Sequence, residues 1–150
     1  MSKTIIRSNC PITIFIDVLG DKWSLLIMRD MLFNHTYTFG QLIEMKEGIA
    51  SKILSIRLKT MASNGLIEKR NHPTNKKVFL YTLTDKGIST IEVFNKIIKF
   101  SIKFYRNKEN IIQKNIISIP NIDTLANSEE IFIKNTKLAY IKFRKKLSNL

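Results

Sequence analysis

Cysteine occurs once in the 150 residues, at position 10, and proline only three times. A lone thiol excludes an internal disulfide, and with two separated histidines, His35 and His72, it cannot complete a four-ligand zinc site. An intracellular, cytoplasmic protein is the simplest fit, with no metal expected. Acidic residues are scarce: 12 Asp and Glu stand against 25 Lys and Arg, a formal net charge of +13. Such a surface attracts phosphate or anionic lipid, and the sum alone does not choose between them. No stretch reaches 18 apolar residues. The N-terminal MSKTIIRSNCPITIFIDVLGDKW also lacks the apolar core and cleavage site of a leader, so neither secretion nor a membrane span is expected. Scattered carboxylates, one thiol and two distant imidazoles assemble no acid-base or nucleophilic group, so no enzyme and no cofactor are expected.

What the chain does have is apolar periodicity. PITIFIDVL at 11–19 fits strand or helix by composition, but Pro11 in a first turn and Gly20 at the end favour helix. Asp21 suits the cap of a second helix with the stripe Trp23, Leu26, Ile27, Asp30 and Met31. After a turn at 34–37, Phe39, Leu42, Ile43 and Met45 predict a third helix closed by Gly48. Ala50–Asn64 predicts a fourth, with Gly65 placed for a left-handed conformation. On its wheel Leu54, Leu58 and Met61 share the core face, while Lys52, Ser55, Ile56, Lys59 and Ser63 lie broadly opposite. Two β-rich segments, 66–70 and 78–83, flank the polar NHPTNKK and predict a hairpin.

Thr84 suits the cap of a long helix over 85–110. Its apolar residues, among them Ile97, Ile98, Ile102, Phe104 and Tyr105, exceed what one face of a small domain needs, which predicts packing against a second subunit. The segment 115–128 reads as irregular, with Pro120 a breaker. A final helix over 129–147 ends in Lys142, Arg144, Lys145 and Lys146, which fits a solvated helix end or a further DNA contact. Trp23, Met28, Met31, Met45 and Met61 read as packing residues, and His35 and His72 as surface turn residues. The fold class is therefore mainly α with a small β-hairpin (α+β): a winged helix-turn-helix over 1–87, and a helical dimerisation and extension region over 88–150 that includes a long C-terminal dimerisation helix. A polar, basic helix placed directly before a strand, in so basic a chain, is best read as lying in a DNA groove.

Residues 10–87 resemble the HxlR family of winged helix-turn-helix transcription regulators. The resemblance rests on Cys10-Pro11, LGDKWSLLIMRD at 19–30, Phe39 with Leu42, GIASKILSIRLKTMASNGLI at 48–67 and YTLTDKG at 81–87. It implies a homodimer that recognises an operator with two-fold character and usually represses, sometimes activates, nearby genes. It makes 50–64 the recognition helix, with Lys52, Ser55, Ile56 and Lys59 as candidate base-edge or groove-wall contacts. Ser51 and Arg57 become candidates for phosphate contact or local support; Arg57 also fits a purely structural bridge to an acidic group. Lys69, Arg70, Lys76 and Lys77 belong to the wing. Half-site centres would lie about 34–36 Å apart. The chain departs from the family pattern at Ala50, where a small hydroxyl is common and Ser51 is the expected substitute cap. It also departs at Thr38, often basic, at Lys76-Lys77, often Pro-Pro, and at Leu80, often acidic.

Some members of that family sense oxidants or electrophiles through a cysteine at the place of Cys10. The helix start, and Arg7 if it folds back, would favour a thiolate there, whereas a small buried packing cysteine is the plain alternative. An effector would then be a small electrophile or oxidant, acting through an adduct, a sulfenic acid or a disulfide that crosses subunits. The alternative function is a winged-helix module that binds protein, or nucleic acid without sequence preference.

Overall fold

Helices and one antiparallel hairpin alternate in a computed structural model that describes residues 5–105, 119 and 122–149. The ambiguous first segment is helix α1 (Pro11–Leu19), with proline in its first turn and the Gly20 amide closing on the Ile16 carbonyl at 2.9 Å. Helix α2 (Lys22–Asn34) starts where the Asp21 carboxylate accepts the amides of Trp23 and Ser24, at 3.1 and 3.0 Å. It buries Ile27, Met28, Met31, Leu32 and Phe33, and ends at His35, whose backbone is left-handed with φ 53°. The His35 ring is half-buried, stacks on Phe143 at 4.6 Å and meets Tyr140 edge-on. It is thus a packing residue between helices, not the surface residue its turn-like surroundings predict, and burial pulls its pKa down.

Thr38 shows why a hydroxyl suits its position. Its side chain accepts the Gln41 backbone amide while Gln41 Oε1 accepts the Thr38 backbone amide, a reciprocal cap on the short helix α3 (Phe39–Ile43). Helix α3 stops before Met45, earlier than the apolar spacing predicts. Gly48, with φ 68°, then turns the chain toward α4 (Ser51–Ser63). Helix α4 ends in a Schellman arrangement: Leu66 N–H reaches the Met61 carbonyl and Gly65 N–H the Ala62 carbonyl, each at 3.0 Å, around Gly65 at φ 69°.

Strands β1 (Ile67–Asn71) and β2 (Phe79–Leu83) pair antiparallel from Ile67↔Leu83 to Asn71↔Phe79. Leu80 is fully buried and forms a bridge to Thr38, an environment that an acidic side chain would not tolerate. The helix predicted to run unbroken from residue 85 is two helices, α5 (Asp85–Ser89) and α6 (Ile91–Tyr105). Thr90 turns both its amide (3.2 Å) and its hydroxyl (2.6 Å) onto the Gly87 carbonyl, a tight closure that interrupts the α-helical ladder. The expected continuation over 106–110 lies outside the described residues, as does most of 115–121. Helix α7 (Ile122–Asn127) orders part of the stretch read as irregular, and α8 (Glu129–Ser148) begins at the Ser128 cap.

One apolar core runs from Leu19 through α2, α4 and the hairpin to Phe132 and Tyr140 of α8. Burying those two aromatics contributes roughly 1.5–3 kcal/mol each. Helix α8 also satisfies the end of β2: the Tyr140 hydroxyl accepts the Leu83 amide at 2.8 Å, and Arg144 donates to the Leu83 carbonyl at 3.0 Å. Desolvation pushes the Tyr140 phenol up to about 12, so it stays protonated.

Candidate nucleic-acid interface

The sequence of α4 divides it into two faces because leucine and methionine recur at helical spacing. Leu54, Leu58 and Met61 are buried, whereas Ser51, Lys52, Ser55, Ile56 and Lys59 are exposed. Ser63, expected with the exposed set, is half-buried and donates to the Thr60 carbonyl at 2.8 Å. Ala50 occupies the N-cap position without a side-chain hydrogen bond, and Ser51 is the first helical residue, so the expected substitute cap does not form. The first amides of α4 are consequently left without that partner, at the end of the helix that carries positive partial charge.

Arg29 orients the helix pair below this face. Its guanidinium forks onto Glu47 with bonds of 2.6 and 3.0 Å while Nε holds Asp30 at 2.8 Å, tying α2 to the turn before α4. The Arg29 fork keeps the Glu47 carboxyl below its usual range. Arg57 takes the structural role weighed for it: Nε lies 3.1 Å from Asp21 Oδ1, at the cap of α2. That Nε makes no aligned hydrogen bond, so the contact is an ion pair, and the side chain stays about one-third exposed. Lys52 and Lys59, by contrast, have no carboxylate within ion-pair distance among the described residues. Ile56, 47% exposed between them, offers the apolar contact that a thymine methyl requires.

The wing is folded by its own polar side chains. His72 Nδ1 accepts the amides of Thr74 and Asn75 at 3.3 Å, and Asn75 Oδ1 accepts that of Lys77 at 3.1 Å. His72 is thus the local organiser of the tip, a role its surroundings did not announce. Lys76 and Lys77 stand exposed beside it. Lys69 lies over the Phe79 ring, 3.6 Å from its centroid, which holds the ammonium on the hairpin surface. Arg70 is engaged elsewhere: its guanidinium donates to the Leu147 carbonyl at the end of α8. The structure therefore exposes Ser51, Lys52, Ser55, Ile56 and Lys59 on one face of α4, exposes Lys69, Lys76 and Lys77 on the hairpin, and sets Arg57 and Arg70 into internal contacts.

Cys10 is exposed at the N-cap of α1 rather than packed in the core. The amide of Thr13, then that of Ile12, pulls its thiol pKa down, although no aligned cap hydrogen bond forms. Arg7 does not serve the thiol, because its guanidinium and amide are both committed to Asp17. Among the described residues no group of three or more His, Cys, Asp and Glu is placed to hold a metal ion, and no helix is long and apolar enough to cross a membrane.

Known proteins resemble this chain in sequence and in fold. The chain is 35% identical over 78 residues to the HTH-type transcriptional regulator sll1512 of Synechocystis, a match over 52% of this chain and 57% of that one. The chain therefore spans little more than half of that relative. It is 27% identical over 97 residues to the regulator YodB of Bacillus subtilis, covering 65% of this chain and 86% of YodB. Reduced YodB superimposes with a TM-score of 0.53 at 28% identity over 65% and 96% of the two chains, and YodB has also been solved with quinone bound. The crystal structure of PA1607 superimposes with a TM-score of 0.63 at 27% identity over 70% and 72%. Residues 18–109, the span from α1 through the helix pair and hairpin into α6, match the family described as HxlR-like helix-turn-helix. The chain belongs to that family and is a winged helix-turn-helix transcriptional regulator.

Proposed function

We propose that the chain is a homodimeric, sequence-specific DNA-binding repressor, with residues 1–87 reading the operator and 88–150 supplying a dimerisation helix and an extension. The observation that carries this reading is the outward face of α4, where exposed Lys52 and Lys59 flank exposed Ile56 and meet no carboxylate of the described chain. Two such helices enter successive major-groove segments of a palindromic duplex. Lys52, Ser55, Ile56 and Lys59 meet base edges, Ser51 meets phosphate, and the wing residues Lys69, Lys76 and Lys77 add phosphate contacts. Arg57 and Arg70 support this surface through Asp21 and Leu147. Selection of duplexes from a random pool tests the reading. One short two-fold sequence should be preferred over random DNA by about a thousandfold or more. Equal affinity for all duplexes would make the protein a non-specific nucleic-acid or protein-binding module instead.

A second reading concerns control. Exposed Cys10, with its thiol pKa lowered at the start of α1, favours a small electrophile or oxidant as effector. YodB, similar to this chain, is known in reduced and quinone-bound forms. Operator affinity of the parent should drop after diamide treatment, and Cys10→Ser should abolish that response. An unchanged response in Cys10→Ser would end this reading.

A further inference from the structure

Helix α8 lies beyond the family match at 18–109, and it runs alongside the wing. Tyr140 and Arg144 hold Leu83 at the base of β2, whereas seven residues on the Leu147 carbonyl receives Arg70, whose strand partner is Leu80. As α8 proceeds, its contacts pass from Leu83 to Arg70, toward the tip, so its last turn lies beside the Arg70↔Leu80 pair, next to the strand end at Asn71↔Phe79.

That last turn is basic. Lys145 and Lys146 are exposed, and neither meets a carboxylate at ion-pair distance among the described residues. Between the turn and the hairpin lies a groove of about 530 Å³ that Lys145 shares with Glu68, Arg70, Asp85, Lys86 and Arg144. Arg144 pairs with Asp85 at 2.7 Å. Arg70 and Lys86 donate only to the carbonyls of Leu147 and Asn64, contacts that neutralise no charge. Glu68 thus faces three cations, and the field on this flank of the wing remains positive.

We infer that the C-terminal turn of α8 is a second phosphate-contacting element, in which Lys145 and Lys146 bind the DNA backbone beside the phosphates met by the wing. This rests on the DNA-reading assignment of α4. It adds affinity without sequence choice, since phosphate contacts carry no base information.

The test is the salt dependence of binding to a duplex selected by the wild-type protein and to a random duplex of equal length. Replacing Lys145→Gln and Lys146→Gln together should lower the slope of log affinity against log salt by about 1.8 for each subunit, at about 0.9 per lost contact. The preference for the selected duplex should be retained. Lys145→Arg with Lys146→Arg should keep the wild-type slope, which ties the loss to charge rather than to the fold of α8. An unchanged slope in the glutamine variant, or a loss confined to the selected duplex, overturns the inference while leaving α4 as the reading helix. If the wild-type protein selects no duplex, the α4 assignment fails first and this element fails with it.

Discussion

Glu129 joins two helices through one carboxylate. Lys96 and Lys99 of α6 donate to it at 2.6 and 3.0 Å from the start of α8, and these contacts hold its pKa down at about 2. An ordinary glutamate titrates near about 4.3. Because the folded value is the lower one, the stabilisation is complete above the unfolded value and is lost as pH falls through the folded one. Urea midpoints of the parent and of Glu129→Gln should therefore differ by a constant amount above about pH 5, and should converge toward pH 2. A difference that persists at pH 2 would show that the lysines act without the carboxylate charge. At the same scale, Arg57 illustrates how a single side chain is drawn away from a proposed binding surface. It sits on α4, the helix proposed to read DNA, yet Asp21, which caps α2, holds it at 3.1 Å.

Between elements, two glycines carry different constraints. Gly65 adopts φ 69° in open space, so a methyl group there strains only the backbone. Gly87 has ordinary φ, but a Cβ would land on the Leu66 carbonyl oxygen, where α5 crosses the start of β1. Gly65→Ala should cost about 1–2 kcal/mol in chemical denaturation. Gly87→Ala should cost more, because backbone rather than a flexible side chain must yield. The reverse order would mean that α5 can shift away from the hairpin. The start of this element was legible: Thr84 caps α5 as its sequence predicts, accepting the Gly87 amide at 3.0 Å. The break at Thr90 was not, since the apolar spacing of Ile88, Ile91 and Phe94 runs through it without interruption.

For the whole molecule, the open question of partnership falls on α6 and α1. Phe100, Phe104 and Tyr105 form an exposed aromatic cluster, with Phe100 and Phe104 ring centroids 5.0 Å apart, and Ile12 and Ile16 are exposed one turn apart on α1. Large apolar side chains exposed in this way favour burial against another chain, which supports the proposed dimer. Sedimentation at micromolar concentration in moderate salt should show a dimer, and Phe100→Glu with Phe104→Glu should shift it to monomer. A parent that sediments as monomer would remove the two-fold operator from the proposal. Helix α8, whose sequence left open whether it covers the dimer or meets DNA, packs on its own chain through Phe132, Tyr140 and Leu147.

Local chemistry alone determined much of this protein. Proline at 11, Asp21, Gly65 and Thr84 set helix ends because caps and left-handed turns depend on neighbours within a few residues. The apolar period of α4 likewise determined which side chains face outward, since a helix turns every 3.6 residues whatever surrounds it. Tertiary structure alone decided the fate of the charges and rings that act at a distance. Arg57 found Asp21, Arg70 found the end of α8, His35 found Phe143, and Tyr140 found the amide of Leu83. Each of those pairings joins groups from 36 to 108 residues apart, and no periodicity in a linear chain encodes which distant group a side chain will meet.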